Sequence, residues 1–265
     1  MVLSEFQLRQ DICEVGRRIY QHGYVASNDG NISFRLNENE VLATPTGVSK
    51  GFMTPEMLVK VNMQGKQLAG QLKPSSEIKM HLEIYRQRPD VRAVIHAHPP
   101  TATGFAVAGI PLDRCVLPEI IINLGSIPLA AYGTPSTDEV PAAVRKYIGN
   151  HDALLLANHG ALTAGRDIYN AYYKMESLEL FAKISLTARL LGHENVLSAE
   201  QVQKLMAIRA KAGVTSSNPG CVDCGACSIS PREAPGVTGI PEDELQEIIT
   251  RVTRSVLDSL GNNKQ

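Results

Sequence analysis

Apolar positions recur along this chain in two rhythms, one of three and four residues and one of two. Clusters of Gly, Pro, Asn and Ser separate them. Leu8, Ile12, Val15 and Ile19 mark one face of a helix. Ser4 with Gln7 opens it as a capping box and Gly23 closes it. Over residues 24–49 the rhythm shortens. Ile32-Ser-Phe-Arg35 and Val41-Leu-Ala43 predict strands, with turn sequences around them. Thr54-Pro55 predicts a helix start, and Ser75-Ser76 predicts another running from Glu77 to about Arg88, closed by Pro89. Val91 to His98 reads as a buried strand stopped by Pro99-Pro100. A short helix over 101–109, strand segments near 115–132, a helix over 138–148 and a strand over 153–157 follow. Asp167 opens a long helix with Ile168, Tyr172, Met175 and Ala182 inward, ending before Gly192. Ser198 with Gln201 opens the next, to about Lys211.

Beyond that point the character changes. Residues 213–240 are dense in Gly and Pro and read as a linker. From Pro241 one more helix is predicted, over 241–261. Leu245, Ile248, Ile249, Val252, Val256 and Leu260 make a single apolar stripe on it. No aromatic residue follows Phe181, so this end has little with which to build a core of its own. The organisation expected is one domain over 1–212, a linker and a terminal amphipathic helix. That helix docks on the body or a neighbouring subunit, or it binds a partner.

Charge and composition narrow the function. A net charge of −1 provides no basic field, so nucleic acid and membrane are not expected as partners. No apolar run reaches the roughly 18 residues of a membrane span. The first residues carry neither the basic nor the apolar region of a secretory signal. A cytoplasmic, reducing setting is expected, in which the five cysteines form no disulfide framework.

Three groups of residues carry chemistry. In His96-Ala-His98 the imidazoles share one strand face, so the pair suits one metal ion or is two ordinary histidines. Asn158-His159-Gly160 places a third imidazole at another strand end. Three neutral imidazoles with an open fourth position make a catalytic zinc site. Pro74-Ser-Ser-Glu77 offers hydroxyls and free N–H groups to an anion, or caps a helix. Gly30-Asn31 and Thr44-Pro-Thr-Gly47 are turns that present donors to a phosphate, or turns alone. His22, His81, His151 and His193 read as surface or helix residues. Cys221, Cys224 and Cys227 have the spacing of metal or cluster ligands. They lack a local fourth thiolate, so a redox-active or inert linker is an equal reading.

Taken in order, Asp29-Gly-Asn-Ile-Ser33, Thr44-Pro-Thr-Gly47, Lys73-Pro-Ser-Ser-Glu77, His96-Ala-His98 and Asn158-His-Gly160 resemble the class II aldolase/adducin family over about residues 4–212. The similarity is greatest to its fuculose-phosphate-cleaving members. The resemblance implies a three-layer α/β/α sandwich around a mainly antiparallel sheet, assembled as a homotetramer. It implies one zinc ion per subunit on His96, His98 and His159. Glu77 would be the acid/base residue, and Asn31, Thr46, Gly47, Ser75 and Ser76 would hold the substrate phosphate. The implied activity is that of a metal-dependent aldehyde-lyase. It would cleave L-fuculose or L-rhamnulose 1-phosphate to dihydroxyacetone phosphate and L-lactaldehyde. Ribulose-5-phosphate 4-epimerase, methylthioribulose-1-phosphate dehydratase and a non-catalytic adducin-like scaffold are the alternatives within the family. The fuculose enzymes carry a proton-donating Tyr where this chain has Leu117, and Glu119 or Tyr132 would have to replace it. The linker and amphipathic helix resemble the encapsulation peptides of bacterial microcompartment enzymes. This implies a shell protein as partner of residues 241–261 and a place inside such a compartment.

Overall fold

The computed structural model describes residues 4–212 and Val214. The terminal helix over 241–261, Cys221, Cys224, Cys227 and all of the linker except Val214 lie outside the described residues.

Helix α1 (Glu5–Gln21) starts where Ser4 accepts a hydrogen bond from the Gln7 N–H. Strands β1 (Asn31–Arg35), β2 (Glu40–Ala43), β3 (Val59–Asn62) and β4 (Gln67–Ala69) form an antiparallel meander. Next come α2 (Ile78–Gln87), β5 (Ala93–Ala97), α3 (Pro100–Val107), α4 (Pro118–Asn123), β6 (Leu129–Ala130) and α5 (Glu139–Ile148). The series closes with β7 (Ala153–Leu156), β8 (Gly160–Gly165), α6 (Ile168–Leu190) and α7 (Ala199–Lys211). One sheet holds all eight strands in the order β4-β3-β2-β1-β5-β8-β7-β6, and its β6–β7 pair is parallel.

Strand alternation decides the layers. Along β5, Ile95 faces a core made with Ile12, Ile19, Phe105, Met175 and Phe181 of α1, α3 and α6. Val94 faces the other way, onto Met80, Ile84 and Val144 of α2 and α5. The result is the expected α/β/α sandwich. Among the described residues no helix is long and apolar enough to cross a membrane.

Several expectations need correction. The run expected as strands near 115–132 holds α4, with only β6 as strand. Ile120-Ile-Ile122 favours a strand locally, but Pro118 at the first turn and Glu119 beside it set a helix. Pro55 opens a single 3-10 turn, Pro55–Met57, rather than a full helix. Helix α2 begins at Ile78, so Glu77 stands just ahead of it in a non-helical conformation. His81 belongs to helix α2, which keeps the helix half of its reading, but it is not at the surface. It is buried under β1, its Nδ1 2.7 Å from Ser33 Oγ, and burial pushes it down to about 3. Cys13 keeps a free thiol that burial pushes up to about 11. Cys115 is buried against Ile121 and Val202.

At the start of β7, Asp152 is buried between Arg88 Nη2 at 2.9 Å and Lys174 Nζ at 2.8 Å. Burial alone would raise its carboxyl, but Lys174 and Arg88 outweigh burial and hold it below 3.8. A depressed carboxyl contributes stability that is complete above its unfolded value. That contribution disappears as pH falls through the folded value. Asp152→Asn is therefore expected to cost about 3 kcal/mol at pH 7, by leaving Lys174 without its carboxylate and Arg88 with Asp90 alone. It should also flatten the loss of stability below about pH 4. Denaturant titrations of both proteins at pH 7 and pH 3 check both effects.

Candidate active site

Backbone register brings the site together. His96 sits in β5, directly paired with Asn31 of β1 on one side and Leu162 of β8 on the other. His98 lies just past the end of β5. His159 lies in the tight turn between β7 and β8, which pair antiparallel up to Leu156 and Gly160. Antiparallel order thus delivers all three imidazoles to one end of the sheet. Two features make room for them. Asn158 adopts the left-handed conformation at φ 55° to turn the chain. A Cβ on Gly160 would stand 2.6 Å from the ring of His98 and from the Ala97 carbonyl, so only glycine fits there.

One ring nitrogen from each of His96, His98 and His159 lies within 4.8 Å of the other two, a spacing suited to one metal ion. The outer nitrogens of His96 and His98 support this arrangement, while His159 Nδ1 is buried without a hydrogen-bond partner. His96 Nδ1 is 2.9 Å from the Ala161 carbonyl, so it carries the proton and leaves Nε2 free as a ligand. His98 Nδ1 faces the Asp29 carboxylate at 3.6 Å, while its Nε2 approaches His96 Nε2 to 3.1 Å. Burial, followed by the neighbouring His159 and His98, holds His96 well below the usual imidazole range. Burial also lowers His159, with Glu77 opposing. Neutral imidazoles with inward lone pairs are the form that binds a cation.

Glu77 completes the centre. Its Oε2 accepts from Asn31 Nδ2 at 2.8 Å and lies 3.4 Å from His96 Nε2, and its Oε1 lies 3.3 Å from His159 Nε2. Oε1 and Asn31 Oδ1 are buried without a hydrogen-bond donor. Such orphaned acceptors, in a carboxylate set against His96 and His159 and in the amide that holds it, fit a bound cation or a protonated reactant.

The expected phosphate residues gather beside this centre. Thr46 N–H donates to the Lys73 carbonyl at 3.0 Å, and Ser75 N–H donates to the Thr44 carbonyl at 3.1 Å. These bonds, with the Pro45–Pro74 bridge, lay the 44–47 turn against the 73–76 turn. Gly47 is left-handed at φ 73° with open space where a side chain would project. Ser75 is buried and caps the Glu77 N–H at 3.3 Å, whereas Ser76 is exposed. Asn31 belongs to both groups, because its amide already serves Glu77. Glu119 and Tyr132 are not drawn into the centre. Both are exposed and neither makes a hydrogen bond or ion pair among the described residues. Tyr132 does follow β6, whose parallel pairing with β7 puts it at the same sheet end as His159. Leu117 packs against the core.

Two contributors escaped the motif analysis. Asp29 stands inside a quoted motif, the one signal that marks it, and its carboxylate lies beside His98. Glu179 carries no such signal: it reaches from α6, 77 residues away, to accept from the Thr101 and Ala102 N–H groups. That contact fixes the start of α3 immediately after His98.

Known proteins carry the same arrangement of elements. Residues 10–186 match the model of the Class II Aldolase and Adducin N-terminal domain. A 3-oxo-tetronate 4-phosphate decarboxylase of Pectobacterium atrosepticum is 31% identical over 208 residues, spanning 76% of this chain and 94% of that protein. An L-fuculose phosphate aldolase of Methanococcus vannielii is 37% identical over 176 residues, spanning 66% of this chain and 94% of that protein. The solved structure of an L-fuculose 1-phosphate aldolase superposes with a TM-score of 0.72 at 30% identity, covering 77% of this chain and 96% of the other. On the matched span, the identity and the shared fold, this chain belongs to the class II aldolase and adducin family.

Proposed function

We propose that the chain is a metal-dependent lyase that breaks a carbon–carbon bond next to the ketone of a phosphorylated sugar. The observation that carries this reading is the Glu77 carboxylate, held by Asn31 and set against His96 and His159. His96, His98 and His159 would hold a zinc ion. When bound, it supplies positive charge to the ketone and hydroxyl oxygens and so steadies the enediolate left by bond cleavage. Asn31, Thr46, Gly47, Ser75 and Ser76 bind and orient the phosphate, fixing the reacting carbon beside Glu77. Glu77 then gives a proton to that carbon. The substrate read from the motifs is L-fuculose or L-rhamnulose 1-phosphate, cleaved to dihydroxyacetone phosphate and L-lactaldehyde. This cleavage also needs a group to take the proton from the hydroxyl that becomes the aldehyde. Tyr132, at the right end of the sheet, is the better placed of the two candidates, Glu119 the other.

A second reading is favoured by Leu117, which has no proton to exchange, and by the Pectobacterium relative. A 3-oxo-tetronate 4-phosphate is a 3-keto acid. Loss of carbon dioxide from it leaves the enediolate of dihydroxyacetone phosphate, the species that aldol cleavage also leaves. Decarboxylation removes no hydroxyl proton, so it dispenses with the missing tyrosine while using the same Glu77, histidines and phosphate turns.

The co-product distinguishes the two. Zinc-loaded protein is expected to release triose phosphate with lactaldehyde from a ketose 1-phosphate. Release of triose phosphate with carbon dioxide, from the keto acid alone, selects the second reading. Triose phosphate from neither substrate, or undiminished turnover after chelation, overturns both. We further propose a homotetramer, with residues 241–261 as a shell-protein ligand of a bacterial microcompartment. Support for that placement is the apolar stripe from Leu245 to Leu260 behind a Gly/Pro-rich linker.

A further inference from the structure

Lys50 is the one buried lysine among the described residues, 1% exposed. It opens the 3-10 turn Lys50–Phe52, which packs so closely on α1 that a Cβ on Gly16 would meet the Lys50 carbonyl at 2.7 Å. From there Nζ donates to two carbonyls, that of Asn28 at 3.0 Å and that of Val48 at 2.6 Å. Among the described residues it forms no ion pair.

Both carbonyls belong to turns of the site. Asn28 begins the turn through Asp29, which faces His98, and Gly30, which leads into Asn31. A Cβ on Gly30 would meet Val25 at 2.6 Å and the His96 carbonyl at 2.9 Å, so this turn lies hard against β5. Val48 directly follows Thr46 and Gly47. One ammonium therefore joins two turns that no strand pairing joins at these positions. Burying an ammonium is costly, and the charge of Asp29 in the first turn and the two neutral carbonyls only partly offset it. An anion cradled by the same two turns would offset the remainder, because the charge is weakly screened in the interior.

We propose that Lys50 is the positioning residue of the phosphate subsite. It clamps the 28–31 and 46–48 turns from beneath and lends its charge to an anion bound on their outer side. This rests on the reading of those turns as a phosphate site, so the test separates the two ideas. Inorganic phosphate is titrated calorimetrically into the full-length, metal-loaded chain, as wild type and as Lys50→Met, which keeps the aliphatic stem. Steady-state kinetics with the active phosphorylated substrate and metal content per chain are measured alongside.

Lys50→Met is expected to weaken phosphate binding and raise KM about tenfold, the equivalent of about 1.4 kcal/mol. The kcat should move less than about threefold, since the chemistry at Glu77 is untouched. Metal content should be unchanged. Lys50→Gln, which returns N–H donors without the charge, should recover part of the binding, and it carries the test alone if the Met variant does not fold. A folded variant that binds phosphate as wild type does, with an unaltered KM, overturns the proposal. So does loss of metal with phosphate affinity retained. Wild type that binds no phosphate overturns the phosphate reading itself.

Discussion

Replacing His96 by alanine is expected to strip the bound metal and lower turnover by about a thousandfold, the several kcal/mol that a cation supplies against a developing negative charge. His96 is the ligand to choose because it is the most constrained. It is fully buried, its outer nitrogen is fixed by the Ala161 carbonyl, and its neighbours in register are Asn31 and Leu162. The imidazole cannot be replaced by a shift of a neighbouring side chain. Metal analysis of the purified variant, with the melting temperature as a control for folding, checks the first part. A chelated wild type should match the variant, and zinc should restore only the wild type. If the variant retains stoichiometric zinc and full rate, the triad is not the metal site.

Glu77→Gln should act differently. The substitution preserves shape and leaves an oxygen to accept from Asn31 Nδ2, so the fold and the bound metal should survive. What it removes is the group that carries the proton. General acid–base catalysis by a placed side chain is worth about 10²- to 10⁴-fold. The loss should fall on kcat with little change in KM, since phosphate and ketone contacts remain. The variant should fail equally whether the bond broken releases an aldehyde or carbon dioxide. Both routes converge on the same enediolate, although only the aldol route also takes a proton from a hydroxyl. A variant that lost one activity and kept the other would show that Glu77 belongs to the cleavage step and not to protonation.

The ingredients of this site were legible because they stand at places the backbone pattern marks. His96 and His98 close an apolar run before a proline pair, His159 closes another before a glycine, and the serines precede a helix. Contacts made by the main chain across the sheet left no such mark. The Ala161 carbonyl that orients His96 sits in β8, a short strand of small residues with no strong alternation. Strands β3 and β4 were equally hidden, being short and partly exposed at the sheet edge. Glu179 reads in sequence as one more charge on a long helix, and only the packing of α6 on α3 reveals it as the cap of the segment after His98. The isoleucines of α4 misled for the opposite reason, because their local preference was clear and a proline overrode it.

The pairing of Asn31 with His96 has a further consequence for how such a chain can change its length. Side chains alternate across a strand, so one residue inserted into β1 or β5 would turn either Asn31 or His96 to the opposite face. Insertions at the other end of the sheet, in the exposed turn over residues 37–39 or at Arg166, would leave that pairing intact. Evolution and protein engineering alike are thus free to lengthen one rim of this molecule. At the other rim, chemistry is indexed to the residue count of two adjacent strands.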